Sequence, residues 1–284
     1  MGNNNPIGVF DSGLGGLTVV KELIRQLPHE SIVYYGDTAR VPYGTKSRES
    51  IIRFSHENTR ILLERNVKMV VVACNTSSSY ALVQLRKHFR LPIVGVIDPG
   101  ARKAAEVTRN RKVGVIATPA TVNSRSYAKA IFRYDRAIQV SSQACPLFVP
   151  LVEEGWLRNP VTTAVAREYL KPLQKTGVDT LVLGCTHYPL LKSVLKDVMG
   201  AKVALIDSAT EVAAEVKRVL QDRQLLRPSA VRLPSAKGSP RGGSLWPRGG
   251  GRRAQYSFLI SDRPQQFEKT AREFLGYNIR AVKI

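Results

Sequence analysis

The sequence predicts an α/β protein of two pseudo-symmetric domains. Each is a mainly parallel sheet flanked by helices, with the active site in the cleft between them. Two observations lead there. Short, wholly apolar strand segments alternate with amphipathic helical segments along most of the 284 residues, the pattern of a parallel sheet covered on both faces. The alternation is also written twice, at a period far too long for a solenoid.

The first half reads in order. IGVF (7–10) passes through a Gly-rich turn into the helical TVVKELIRQL (18–27), and the strand SIVYYG (31–36) follows. ESIIRFSHENTRILLERN (49–66) has helical spacing. The strand MVVVA (69–73), a helix near SSYALVQLRKHF (78–89) and the strand PIVGVI (92–97) complete a βαβαβ run. The second half repeats it. KVGVIATPATVNSRSYAKAIF (112–132) aligns with PIGVFDSGLGGLTVVKELI (6–24), placing Gly114 on Gly8 at an offset of 106. Cys185 falls on Cys74 at 111, and IDSATEVAAEV (206–216) on IDPGARKAAEV (97–107) at 109. Three matches in one order at nearly one offset indicate an internal duplication. The expected division is residues 1–98 plus 210–284 as one domain and 99–209 as the other.

Composition narrows the class. The chain is 43% apolar and 23% charged, ordinary for a soluble globular protein. No apolar run approaches the ~20 residues needed to span a bilayer. The start, MGNNNPIGVF, has neither the basic nor the apolar region of a secretory signal, and Pro6 stands where a myristoylation signal wants Ser or Thr. Three cysteines cannot form a full disulfide framework, so free thiols in a reducing cytoplasm are expected.

The net charge of +21 is unusual. A third of the excess lies between Arg227 and Arg253, with seven basic residues and no acidic one. PSAKGSPRGGSLWPRGGGRR in this stretch is rich in Gly, Pro and Ser and cannot bury a core. It reads as a flexible basic insertion near 229–254. Nucleic acid or another polyanion would suit it as a partner; a solvated loop suits it as well. No helix-turn-helix, zinc-finger or RNA-binding motif accompanies it.

The chemistry is written at strand ends. Ligands of parallel sheets bind beyond the carboxyl ends of the strands. Cys74 and Cys185 both stand there, as do Asp11 and Ser12 and their repeat partners Ala117 and Thr118. Each cysteine precedes a Thr, as CNT or CT, and is expected at a helix N-terminus, where the dipole lowers a thiol pKa. Both also have the plain reading of small buried hydrophobes. Cys145 in QACPLF matches nothing in the repeat and reads as structural. DSGLGG (11–16) could be a dinucleotide-binding turn, since Gly13 and Gly15 are present and Asp37 ends the next strand. Thr18 stands where the third Gly belongs and Asp11 would put a carboxylate near the pyrophosphate, which favours a turn whose backbone N–H groups meet a small anion, with Asp11 acting on a cationic group; a plain tight turn is the other reading. Metal binding is poorly served: none of the four histidines has ligand spacing with a cysteine pair. Two thiols on opposite sides of one ligand suit inversion of a stereocentre, one removing a proton and the other delivering one to the opposite face.

These phrases carry a specific resemblance. GVFDSGLGGLTV (8–19), YYGDTARVPYG (34–44), VVACNTSS (71–78), ATPATV (117–122), PLFVPLVEEG (146–155) and LGCTHYPLL (183–191) resemble the glutamate racemases of the cofactor-independent aspartate/glutamate racemase superfamily. The phrases keep the family order from near residue 7 to about 216, and REFLGYNIRAVKI at the end also fits. The resemblance implies exchange of the α-proton by Cys74 on the D-glutamate side and by Cys185 on the L-glutamate side. It assigns Asp11 and His187 as assistants to the thiols, with Glu153 a further helper. Ser12, Tyr43, Gly44, Asn75, Thr76, Thr118, Thr121 and Thr186, with Asp11 and His187, would hold the carboxylates and ammonium. No cofactor or metal is implied, and a homodimer is the expected assembly. His187 also reads as a supporting residue at a strand end, and Glu154 competes with Glu153; only the family match selects between them.

The basic stretch departs from the family but lies outside every motif named. Deleting residues 235–251 is therefore expected to spare turnover of glutamate. A large loss of turnover in a deletion variant that remains folded would show that the insertion shapes the site.

Overall fold

The computed structural model describes residues 2–227 and 254–284. The basic insertion expected near 229–254, and any polyanion contact made through it, lie outside the described residues save for Ala254. The strands are β1 (Ile7–Asp11), β2 (Ile32–Gly36), β3 (Met69–Val72), β4 (Ile93–Gly95), β5 (Lys112–Ala117), β6 (Gln139–Ala144), β7 (Thr180–Gly184), β8 (Ala204–Asp207), β9 (Tyr256–Ile260) and β10 (Ala281–Lys283). The helices are α1 (Leu17–Gln26), α2 (Arg48–Leu63), α3 (Asn75–Tyr80), α4 (Leu82–His88), α5 (Ile97–Val107), α6 (Pro119–Ser124), α7 (Ser126–Tyr134), α8 (Phe148–Glu153), α9 (Pro160–Thr176), α10 (Lys192–Met199), α11 (Ser208–Asp222) and α12 (Pro264–Leu275). Among the described residues no helix is long and apolar enough to cross a membrane.

Two sheets result, with strand orders β10-β9-β2-β1-β3-β4 and β6-β5-β7-β8. Every described strand pair is parallel. The run β2-β1-β3-β4 has the same order as β6-β5-β7-β8, so the duplication read in the sequence is a duplication of topology. It extends to register. Gly8 stands beside Val70 and Gly114 beside Leu181. Each cysteine lies four residues beyond that partner. The first sheet alone is widened, by β9 and β10 from the C-terminal segment. One apolar core joins the halves, with Val9, Tyr34 and Val71 from the first sheet and Val115, Ile116 and Leu183 from the second.

Two expected elements differ. The strand over 92–97 is only Ile93–Gly95, because Ile97 already opens α5. Asp98 in the first turn of α5 favours the helix through the dipole. The helix expected over 78–89 is two helices that break at Ala81. The first starts earlier, directly after Cys74, and is rich in Ser. Its Ser78 hydroxyl donates to the Val72 carbonyl at 2.9 Å and accepts from Val96 N–H at 3.3 Å. It is thus tied to the sheet rather than continuing as one rod.

At the opposite pole from the cysteines a buried ion pair ties the chain together. Lys68 Nζ lies 2.6 Å from Glu30, with both side chains almost wholly buried. The same ammonium donates to the carbonyls of Asn3 and Leu225, each at 2.8 Å, and Glu30 accepts the Arg227 N–H at 2.7 Å. The cluster fastens the N-terminal segment to the chain leaving α11. Removing one partner of such a pair strands a charge, at a cost of about 3–5 kcal/mol. Lys68→Ala should therefore lower stability by that order in urea unfolding. A change under about 1 kcal/mol, the size of a surface pair, would show the cluster to be incidental.

Candidate active site between the two sheets

The carboxyl ends of four strands meet in the cleft. β1 ends at Asp11, β3 runs out to Cys74, β5 to Thr118 and β7 to Cys185. The cavity between them measures about 20 Å³ and is lined by both Cys74 and Cys185, with Ser12, Tyr43, Gly44, Asn75, Thr76, Thr118, Thr186 and His187 also in its wall. Val41, Pro42 and Val149 complete the lining. They were not singled out from sequence, although Val41 and Pro42 sit inside the phrase YYGDTARVPYG. About 20 Å³ is room for one water, so the two walls nearly touch.

The expected site residues divide into those facing the cavity and those behind it. Asp11 is wholly buried and is not among the lining residues. Its Oδ2 accepts the N–H groups of Gly13 (3.1 Å) and Gly16 (3.0 Å), and its Oδ1 receives the Thr186 hydroxyl at 3.5 Å. Burial raises its pKa, opposed by His187 and by these N–H groups. Two of the N–H groups of DSGLGG, those of Gly13 and Gly16, are thus held by the protein's own carboxylate, which counts against a pyrophosphate or other anion on them. The glycines instead serve close packing: a Cβ on Gly15 would fall 2.2 Å from Thr186 Oγ1 and 2.5 Å from His187 Nδ1. The turn of the first domain is pressed onto the loop that carries Cys185. Thr18 adds a hydrogen bond from its hydroxyl to the Thr186 carbonyl at 3.2 Å.

The two thiols sit in unlike settings. Cys74 is the N-cap of α3, as expected, and its sulfur lies 3.9 Å from Ser12 Oγ. The expected lowering of its pKa is not found. Burial first, and Asp11 second, push it up to about 12 against the pull of the Ser77 N–H. A helix of six residues is too short a dipole to offset desolvation. Cys185 is not at a helix N-terminus at all. Two residues separate it from the short 3-10 helix Tyr188–Leu191. Its sulfur faces His187 Nδ1 at 3.8 Å, and His187 Nε2 lies 3.2 Å from Glu153 Oε1. Burial pulls the imidazole down, but its hydrogen bonds to Cys185 and Glu153 prevail and raise it to about 10. Of the two neighbouring glutamates, Glu153 is the one that reaches His187. Cys145 is fully buried behind the site, with its carbonyl accepting from Tyr188 OH at 2.8 Å.

The polar wall is supplied by both domains. The hydroxyls of Thr76, Thr118 and Thr121 form a triangle with sides of 3.0, 3.0 and 3.3 Å. Asn75 accepts the Tyr127 hydroxyl at 2.7 Å through Oδ1, while its buried Nδ2 has no hydrogen-bond partner among the described residues. A buried amide donor left unpaired is costly unless a ligand meets it. Tyr43 lines the cavity, and its hydroxyl is engaged within the protein: it donates to Asp37 and accepts from Asn58 Nδ2 at 3.0 Å. Gly44 packs on Thr118, whose Cβ a side chain at 44 would meet at 2.6 Å.

Comparisons with known proteins point to one family. The family model for Asp/Glu/hydantoin racemases matches residues 7–216. A glutamate racemase of Geobacter metallireducens is 49% identical over 270 residues, covering 95% of this chain and 92% of the relative. Among solved structures, a glutamate racemase isoform of Bacillus anthracis superposes with a TM-score of 0.89 at 38% identity, over 99% of this chain and 98% of that one. The glutamate racemase of Francisella tularensis in complex with D-glutamate gives 0.85 at 35% identity, covering 99% and 97%.

The Gly15 contact generates a direct test. Misplacement by about 1 Å near reacting groups can cost on the order of 100-fold in rate. Gly15→Ala should therefore lose at least about that much turnover while keeping its far-UV circular dichroism. Turnover within a few-fold of the parent would mean that the two walls need not pack this closely.

Proposed function

This chain belongs to the Asp/Glu/hydantoin racemase family, and from that premise we propose how it interconverts L- and D-glutamate. The reaction is cofactor-independent proton transfer between two thiols, and its product supplies D-glutamate for peptidoglycan. The single observation that carries the reading is a cavity bounded by Cys74 from one duplicated half and Cys185 from the other.

In the L-to-D direction, the Cys185 sulfur takes the α-proton and Cys74 returns a proton to the opposite face of the same carbon. The reverse direction exchanges the roles. His187, held by Glu153, assists Cys185. Asp11 stands on the Cys74 side and keeps the turn in place. With its pKa held high by burial, Cys74 rests as a thiol, the form that donates. The ammonium of a bound glutamate is the charge that would let it act as a base. Removal of the α-proton leaves negative charge next to a carboxylate, which preorganised donors stabilise. The Asn75 amide, the hydroxyls of Ser12, Thr76, Thr118, Thr121 and Thr186, and the N–H groups of Tyr43 and Gly44 are assigned to the two carboxylates. A substrate larger than the present cavity requires the walls to part as it enters.

The halves are taken as residues 1–98 with 210–284, and 99–209. A homodimer is the assembly in this reading. Three free thiols suit a cytoplasmic setting. The net charge of +21 supports contact of the basic stretch with nucleic acid or other polyanions.

Circular dichroism on D-glutamate, without added cofactor, should decay to zero as the racemate forms. Cys74→Ala and Cys185→Ala should each abolish the decay in both directions. Near-normal turnover by either variant would sink the two-thiol reading.

A further inference from the structure

Asp37 has no place in the chemistry above, yet it is wholly buried beside the site. One of its carboxylate oxygens accepts from the Tyr43 hydroxyl and from Arg40 Nε, the latter at 2.6 Å. The other accepts from Ser261 Oγ at 3.1 Å. Arg40 continues to Glu57 and, at 3.2 Å, to Asn58 Oδ1, and its guanidinium lies 4.1 Å over the Phe54 ring. Asn58 Nδ2 then returns to the Tyr43 hydroxyl at 3.0 Å. Asp37, Tyr43, Asn58 and Arg40 thus close a ring of hydrogen bonds. The ring hangs from the sheet, because Asp37 N–H donates to the Asp11 carbonyl at 3.0 Å.

What this ring holds is the segment Val41–Gly44, all four residues of which line the cavity. The Tyr43 hydroxyl is committed to the ring, and burial, with Asp37 next, keeps the phenol protonated. The polar groups left to face a ligand are the N–H groups of Tyr43 and Gly44. They open the 3-10 helix Tyr43–Thr45, where no intrahelical acceptor exists. Their placement therefore depends on where the Tyr43 side chain is pinned.

We propose that Asp37 is a positioning residue for substrate binding, setting the Tyr43 and Gly44 N–H groups through its bond to the Tyr43 hydroxyl. The proposal rests on the glutamate reading above. Asp37 does not touch the reacting atoms, so its loss should weaken binding and leave the proton transfers alone.

Steady-state kinetics of folded Asp37→Asn, Tyr43→Phe and the double variant test it. Each single change should raise KM for glutamate about tenfold, the size of one charge-assisted hydrogen bond, with kcat kept within about threefold. The double variant should be no worse than the poorer single one, because both changes break the same link. Thermal unfolding alone would register a merely structural role; the KM-against-kcat split would not arise from one. Unchanged KM in folded Asp37→Asn overturns the proposal, and so does unchanged KM in folded Tyr43→Phe, which keeps the Asp37 carboxylate and its bond to Arg40. Additive losses would place the hydroxyl on the substrate itself and overturn it too. A parent protein that leaves glutamate unchanged would instead refute the glutamate reading.

Discussion

The site depends on one close approach. The DSGLGG turn of the first domain lies against Thr186 and His187 of the second with no room for a Cβ at Gly15. That contact brings the carboxyl ends of β1 and β7 within hydrogen-bonding reach, as the Thr18 and Asp11 bonds to Thr186 record. Asp11 makes the contact durable by holding Gly13 and Gly16 N–H groups in the turn. A carboxylate in this position is both a structural clamp and the charge that bears most on Cys74. Its two effects oppose each other: the clamp closes the site, and the charge disfavours the Cys74 thiolate.

The duplicated fold then explains why two thiols face each other, and its imperfections explain why they differ. Equivalent register places both cysteines four residues past equivalent strand positions. Beyond the cysteines the equivalence ends. After Cys74 the chain turns directly into α3, and Asn75 offers an unpartnered amide. After Cys185 it makes a loop that sets His187 between a thiol and Glu153. Cys74 is matched to a buried setting beside the Asp11 carboxylate, and Cys185 to an imidazole linked to a carboxylate. Mirror-related substrates present their α-protons from opposite sides, but their side chains and carboxylates share one polar wall. Unlike partners for the two thiols are compatible with that geometry.

Most of this frame was legible in the residues. Apolar strands of fixed spacing, repeated at nearly one offset, exposed the two sheets and their shared order. The cysteine phrases located the cleft. Less was legible where the outcome turns on three-dimensional packing. Nothing local distinguishes a glycine that meets a phosphate from Gly15, which meets the other domain's side chains. The dipole argument for Cys74 failed because burial, which the sequence shows only coarsely, outweighs a short helix. Tyr43 was legible as a residue of the cavity wall, but not which of its groups is free, because the partners of its hydroxyl, Asp37 and Asn58, come from 6 and 15 residues away. The break at Ala81 was hidden in a segment with ordinary helical spacing.

The most direct test of two opposed thiols is the isotopic fate of the α-hydrogen at low conversion. L-glutamate bearing ordinary hydrogen is turned over in deuterated water, and substrate and product are separated and analysed by mass. Removal by Cys185 and delivery by Cys74 predict D-glutamate carrying solvent deuterium at the α-carbon from the earliest time points. Product that retains the substrate's own hydrogen would mean that a single group moves the proton between faces, and would contradict the two-thiol account.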